Sequence, residues 1–248
     1  MDTSKIKEIS QGIVEVKNAG NTVWGGVYVD TINSPGPKKL IGGNVEAGFF
    51  GECPTSELIT GDALARLIGL SAGTNQYSNE PWLKFAYMGK IEFIAKKPFR
   101  YAISWDNIHA VNAVFGRRTV RINSKTYMIR LIKGKTEGKQ GDQSAYAGDI
   151  NKRSEWNRLM LPIHKNAPSY WRYPGNVESP TEDWGVNYSD NDLITNNSYG
   201  GMTWCQEYGY GSKYRLDRGY GGVSYSDYGP PSNDSYYRSW RPVLELVR

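Results

Sequence analysis

After residue 168 the chain becomes a run of tyrosines and tryptophans set among Gly, Ser, Asn and Asp, reaching from Trp171 to Trp240. Glycine and proline at this density break helices, and no apolar stripe recurs there at helical spacing. The stretch therefore cannot fold as a bundle of long helices. It has no fixed repeat period, which excludes a solenoid or a propeller. Low-complexity disorder is excluded too, because the tryptophans and the closing run Arg241-Pro-Val-Leu-Glu-Leu-Val247 need a core. What remains is long loops hung on short strands.

Composition sharpens that reading. The 248 residues hold 18 Tyr but only 6 Phe. A phenol that leaves water must find a hydrogen-bond partner, so a buried core has no reason to favour Tyr over Phe. The excess predicts a polar aromatic surface or a core threaded by hydroxyl networks. A chain of this length buries a genuine core without disulfides, as one large domain or two small ones.

Several chemistries drop out. Cys53 and Cys205 are the only cysteines, so neither a disulfide framework nor a four-Cys zinc site can be built. Two histidines, His109 and His164, leave little for His-based catalysis or metal binding, and both read as structural or exposed. No P-loop, dinucleotide fingerprint or G-x-S-x-G elbow occurs. Gly219-Tyr-Gly-Gly222 lacks the Lys-Ser/Thr and helix that a phosphate loop needs. No enzymatic activity, cofactor or metal is expected. No apolar run approaches the roughly 20 residues that span a bilayer, and charges interrupt Met1–Ser10 where a signal peptide would be apolar. The expectation is a protein made in the cytoplasm without membrane insertion.

Charge is unevenly placed. Between Pro81 and Lys135 stand twelve Lys or Arg against Glu92 and Asp106, a local +10 in a chain of formal charge +5. Such a stretch forms either the solvated side of strands or a basic face for an acidic partner. It carries no aromatic stacking platform of the kind that reads bases, so nucleic acid is not an expected partner.

Three capped helices are legible. Thr60 caps the first, with Leu64, Leu67 and Ile68 on one face and Gly69 as the stop. Ser104 caps the second, with Ile108, Val111 and Phe115 inward and Gly116 as terminator. Ser154 caps the third, with Trp156, Leu159, Met160 and Ile163 on one face and Pro162 ending it near Leu161. A hairpin joins Thr119–Ile122 to Thr126–Leu131 through Asn123-Ser124-Lys125, with Val120, Ile122, Tyr127, Ile129 and Leu131 inward and Arg121 and Arg130 in water. Gly134–Gly148 reads as an exposed loop. Residues 1–45 read as an N-terminal arm with strands over 13–17 and 23–29, able to pair with a neighbouring subunit.

The Tyr-rich third is the candidate binding region. Tyrosine offers wide contact area with few rotors to freeze, and Gly and Ser let loops adapt, the mixture used by antibody paratopes. The candidate contact residues are Trp184, Tyr188, Tyr208, Tyr210, Tyr214, Tyr220, Tyr225 and Tyr228.

A set of motifs in fixed order adds a family. Trp156-Asn-Arg-Leu-Met160, Asp192-Leu193, Gly201-Met-Thr-Trp-Cys-Gln-Glu207, Tyr214-Arg-Leu-Asp-Arg-Gly219 and Ser239-Trp-Arg-Pro-Val-Leu-Glu245 follow Gly48-Phe-Phe-Gly-Glu52, Pro81-Trp-Leu-Lys-Phe85, Lys96-Lys-Pro98 and Ser104-Trp-Asp106. Together they resemble bacteriophage virion and tail proteins with a C-type-lectin-like domain, the fold of formylglycine-generating-enzyme-like domains. The resemblance covers residues 46–248. It implies an α+β fold of short antiparallel strands, two to three helices and long loops, with Ser239–Glu245 closing beside the N-terminal strand. It also implies a non-enzymatic virion component of the tail, neck or head decoration. Its partners would be other virion proteins and copies of itself. The alternative is a receptor-binding module that reads a host-surface glycan or protein. The calcium-lectin tripeptides Glu-Pro-Asn, Gln-Pro-Asp and Trp-Asn-Asp are missing, as is a C-terminal cysteine pair, so a scaffold without either chemistry is expected.

Overall fold

The computed structural model of the chain describes residues 33–134, 154–165, 182–195, 199–208 and 213–247 in full, and the backbone of 7–9, 13–18, 21–24 and 27–29. Those four N-terminal pieces are strands β1 (Lys7–Ile9), β2 (Ile13–Asn18), β3 (Asn21–Trp24) and β4 (Val27–Val29), which pair antiparallel in chain order. Among the described residues none of them joins another sheet. The single strand expected over 23–29 is two, β3 and β4, with Trp24 paired to Val27.

The remaining strands are β5 (Gly42–Gly43), β6 (Ala47–Cys53), β7 (Thr74–Asn75), β8 (Trp82–Tyr87), β9 (Lys90–Ala95), β10 (Arg100–Tyr101), β11 (Phe115–Ile122) and β12 (Lys125–Leu131). After them come β13 (Met202–Tyr208), β14 (Arg215–Arg218), β15 (Ser226–Gly229), β16 (Arg238–Trp240) and β17 (Pro242–Leu246). The helices are short: α1 (Gly61–Ile68), α2 (Trp105–Ala110), α3 (Glu155–Met160) and α4 (Asp190–Leu193). Strands build a seven-stranded sheet ordered β11-β12-β17-β9-β8-β6-β5 and a six-stranded sheet ordered β15-β14-β13-β16-β10-β7. All neighbours are antiparallel except β13 and β16. The architecture is α+β with strand predominating. Among the described residues no helix is long and apolar enough to cross a membrane.

The caps form as their sequences dictate. The Thr60 hydroxyl accepts from the Ala63 N–H at 3.2 Å, and Gly69 ends α1 in the left-handed region at φ 72°. Ser104 and Asn107 form a reciprocal capping box, and Ser154 caps α3 through the Asn157 N–H. Two of the helices depart from expectation. Leu67 faces solvent while Leu64 and Ile68 are buried, because eight residues present too narrow a stripe to cover a third position. The second helix stops at Ala110, and Phe115 and Gly116 instead open β11, with Gly116 at φ 73° inside its bulge.

The seven-stranded sheet is covered on both faces. One face packs on α1 and α2 through Trp82, Phe93, Ile129 and Leu244. The other packs on α3, α4 and the six-stranded sheet through Leu83, Phe85, Ile94 and Val243. Every residue of β8 is buried, the pattern of a strand between two layers. The closing segment differs from expectation. It splits at Arg241, where the chain leaves β16 in one sheet for β17 in the other, and β17 pairs with β9 and β12 rather than with an N-terminal strand. Residues 33–45 belong to the body: Ser34 is buried, Lys84 Nζ donates to the Pro37 carbonyl at 2.6 Å, and β5 pairs with β6.

Candidate functional site

Six tyrosines from four separate segments meet at one end of the six-stranded sheet. Tyr101 of β10 lies 5.3 Å from Tyr199, and Tyr199 lies 5.2 Å from Tyr236. Tyr236 is 4.0 Å from Tyr237, which is 5.5 Å from Tyr220, and Tyr220 is 5.6 Å from Tyr225. The contacts are tilted or edge-on, the arrangements that suit the ring quadrupole. The row thus rises from the buried Tyr225 to open rings, with Tyr199 58% and Tyr236 47% exposed.

Backbone bonds explain why these segments converge. Gly200 N–H donates to the Tyr236 carbonyl and Met202 N–H to that of Tyr237, both at 2.8 Å. The parallel pairing of β13 with β16 fixes this register. Gly200 sits at φ 77°, where a Cβ would collide with the Gln76 amide, so only glycine lets Tyr199 close over Tyr101. The Tyr236 hydroxyl donates to that of Tyr237 at 2.7 Å. That bond pushes the Tyr236 phenol above its ordinary range.

The contact residues expected from sequence do not gather in one place. Tyr220 and Tyr225 belong to the strip, but Tyr225 is 2% exposed and its hydroxyl is spent on Asp227 at 3.2 Å. Trp184 is buried against Gly42 and Gly43, with its indole N–H donated to Glu182 at 2.8 Å. The structure therefore removes both rings from the contact surface: each fills a gap between elements. Tyr188 donates to Glu52 at 2.7 Å and lies under Lys96, with its phenol pushed up by burial and then by that bond. Tyr228 is half-buried against the second core. Tyr208 packs on Arg215, 4.0 Å from its guanidinium carbon. Tyr214 is partly exposed. Tyr210 lies outside the described residues. Of the strip members not singled out, Tyr199, Tyr236 and Tyr237 were visible only as rings beside small residues, as in Ser198-Tyr199-Gly200 and Ser235-Tyr236-Tyr237, and Tyr101 only as a ring beside Arg100 in the basic stretch.

Two other polar clusters could suggest chemistry. Arg130 is ringed by Glu155 at 2.7 and 2.9 Å, Glu92 at 2.6 Å and Glu245 at 3.4 Å, and Glu245 also binds Lys90 at 2.6 Å. Burial raises the Glu92 carboxyl well above the usual range, with Arg130 only partly offsetting it. Burial also opposes ionisation of Glu155, yet the charge of Arg130 wins and holds it low. Such a pair of unlike carboxyls resembles an acid–base pair, but both are 1% exposed, beyond reach of a substrate. His164 Nε2 stands 3.5 Å from Asp190 and is likewise buried. Cys53 and Cys205 are buried free thiols pushed up by desolvation, which makes them poor nucleophiles. Among the described residues no group of three or more His, Cys, Asp or Glu could hold a metal.

No family model matches the chain, and no curated protein or solved structure matches it.

Proposed function

We propose that the chain is a non-enzymatic phage virion structural protein with a C-type-lectin-like body, attached through its N-terminal meander and presenting tyrosines for protein contact. The observation that carries the reading is the linked strip from Tyr101 through Tyr199, Tyr236 and Tyr237 to Tyr220, with its central rings open to solvent. Stacked tyrosines hold one another in place, so little rotamer freedom is lost when a partner covers them, and hydroxyls at the rim satisfy polar groups. A four-stranded meander that pairs with neither of the other sheets supports a separate attachment role. Mass spectrometry of purified particles tests the proposal. Stoichiometric copies in the virion are expected. Their absence overturns it, and a soluble chain that binds host cells and blocks infection transfers the strip to the receptor-binding alternative.

A further inference from the structure

The seven-stranded sheet ends on β11, at eight residues the longest edge strand among those described. An open edge carries unpaired N–H and C=O groups on alternate residues and invites another strand. Among the described residues no backbone hydrogen bond links the outer side of β11 to another segment. Side chains alternate along it: Val120 and Ile122 enter the core, while Arg117, Thr119 and Arg121 are exposed. Arg118 steadies the bulge by donating to the Val111 and Leu67 carbonyls. Among the described residues neither Arg117, Arg121 nor Lys125 makes an ion pair. At the far end of the hairpin an open groove is lined by Lys90 and Lys125. Glu57, whose carbonyl accepts from the Asn123 side chain at the hairpin turn, directs its carboxylate to the Gly36 N–H.

We propose that the β11 edge takes an extended acidic segment of a partner protein as an added strand. In the antiparallel register centred on Thr119, two β11 edges would set Arg117 against Arg121, which disfavours a second copy as the occupant. The same repulsion disfavours basic strands, and a neutral strand gains nothing from the arginines, so the favoured occupant carries carboxylates at alternate positions. Such a segment gains main-chain hydrogen bonds from the edge and charge complementarity from the arginines. A nucleic acid would use the charge but leave the edge unpaired.

Fluorescence anisotropy of the full chain with a labelled octapeptide alternating Glu with Val or Thr tests this. Saturable binding is expected, weakened about tenfold or more by R117E/R121E and retained by R117K/R121K, with circular dichroism unchanged in both. A peptide N-methylated at alternate residues should not bind. Equal binding of the N-methylated peptide, no binding of the parent, or binding unaffected by R117E/R121E overturns the proposal. So does a single-stranded oligonucleotide that binds through the same arginines where the peptide fails.

Discussion

Arg130 is buried because the sheet register leaves Glu92 directly opposite Glu245. Two carboxylates facing each other repel, and the guanidinium between them, together with the burial that disfavours charge on Glu92, relieves the conflict. Replacing Arg130 by Met strips the cation while leaving the acids in place, and chemical denaturation should show a loss of about 3–5 kcal/mol. Asp217 gives a pH-dependent counterpart. It is buried against Arg238, and burial raises its carboxyl to about 6. A folded-state carboxyl above its unfolded value favours the native state at low pH, so its contribution falls as pH rises from about 4 to about 6. Asp217→Asn has no proton to lose. Its stability should gain on the wild type by up to about 3 kcal/mol across that window in parallel urea melts. Neither residue could be placed from sequence. Alternation puts Arg130 correctly on the face opposite Ile129, but that face reads as wet, and only the docking of α3 makes it dry.

Caps and turns were the legible elements, because their chemistry is local. Thr60, Ser104 and Ser154 each bond the N–H three residues on, as their side chains dictate within one turn. The β11–β12 hairpin was legible too, though its turn is Asn123-Ser124 alone, with Lys125 paired to Ile122. Both turn residues lie at positive φ, 47° and 67°, the geometry of a two-residue turn that matches strand twist. Serine is strained there, and Ser124→Gly should raise stability by about 1 kcal/mol, read as a higher thermal midpoint. Boundaries set by distant contacts were not legible. The split of the closing segment at Arg241 depends on two sheets meeting, which no local spacing records.

At the scale of the molecule, the tyrosine excess resolves into both of its expected forms. Tyr225 and Tyr188 are tied into the interior by hydroxyl bonds, while Tyr199 and Tyr236 stand open. That the tyrosines would divide between open rings and hydroxyl-tied interior was legible in composition. Which rings form the strip was not, because Tyr101 comes from the basic stretch some hundred residues upstream and converges only through β10 and β16. The meander has its own lesson: since residues 33–45 belong to the body, a truncation of residues 1–32 should leave the thermal midpoint of the body unchanged and abolish incorporation. Loss of folding in that truncation would place the meander in the core instead. The most direct test of the tyrosine contact is hydroxyl-radical footprinting of Tyr199 and Tyr236 in the free chain and in the assembled particle. Strong protection of both rings on assembly is the predicted result, and equal labelling in the two states would contradict it.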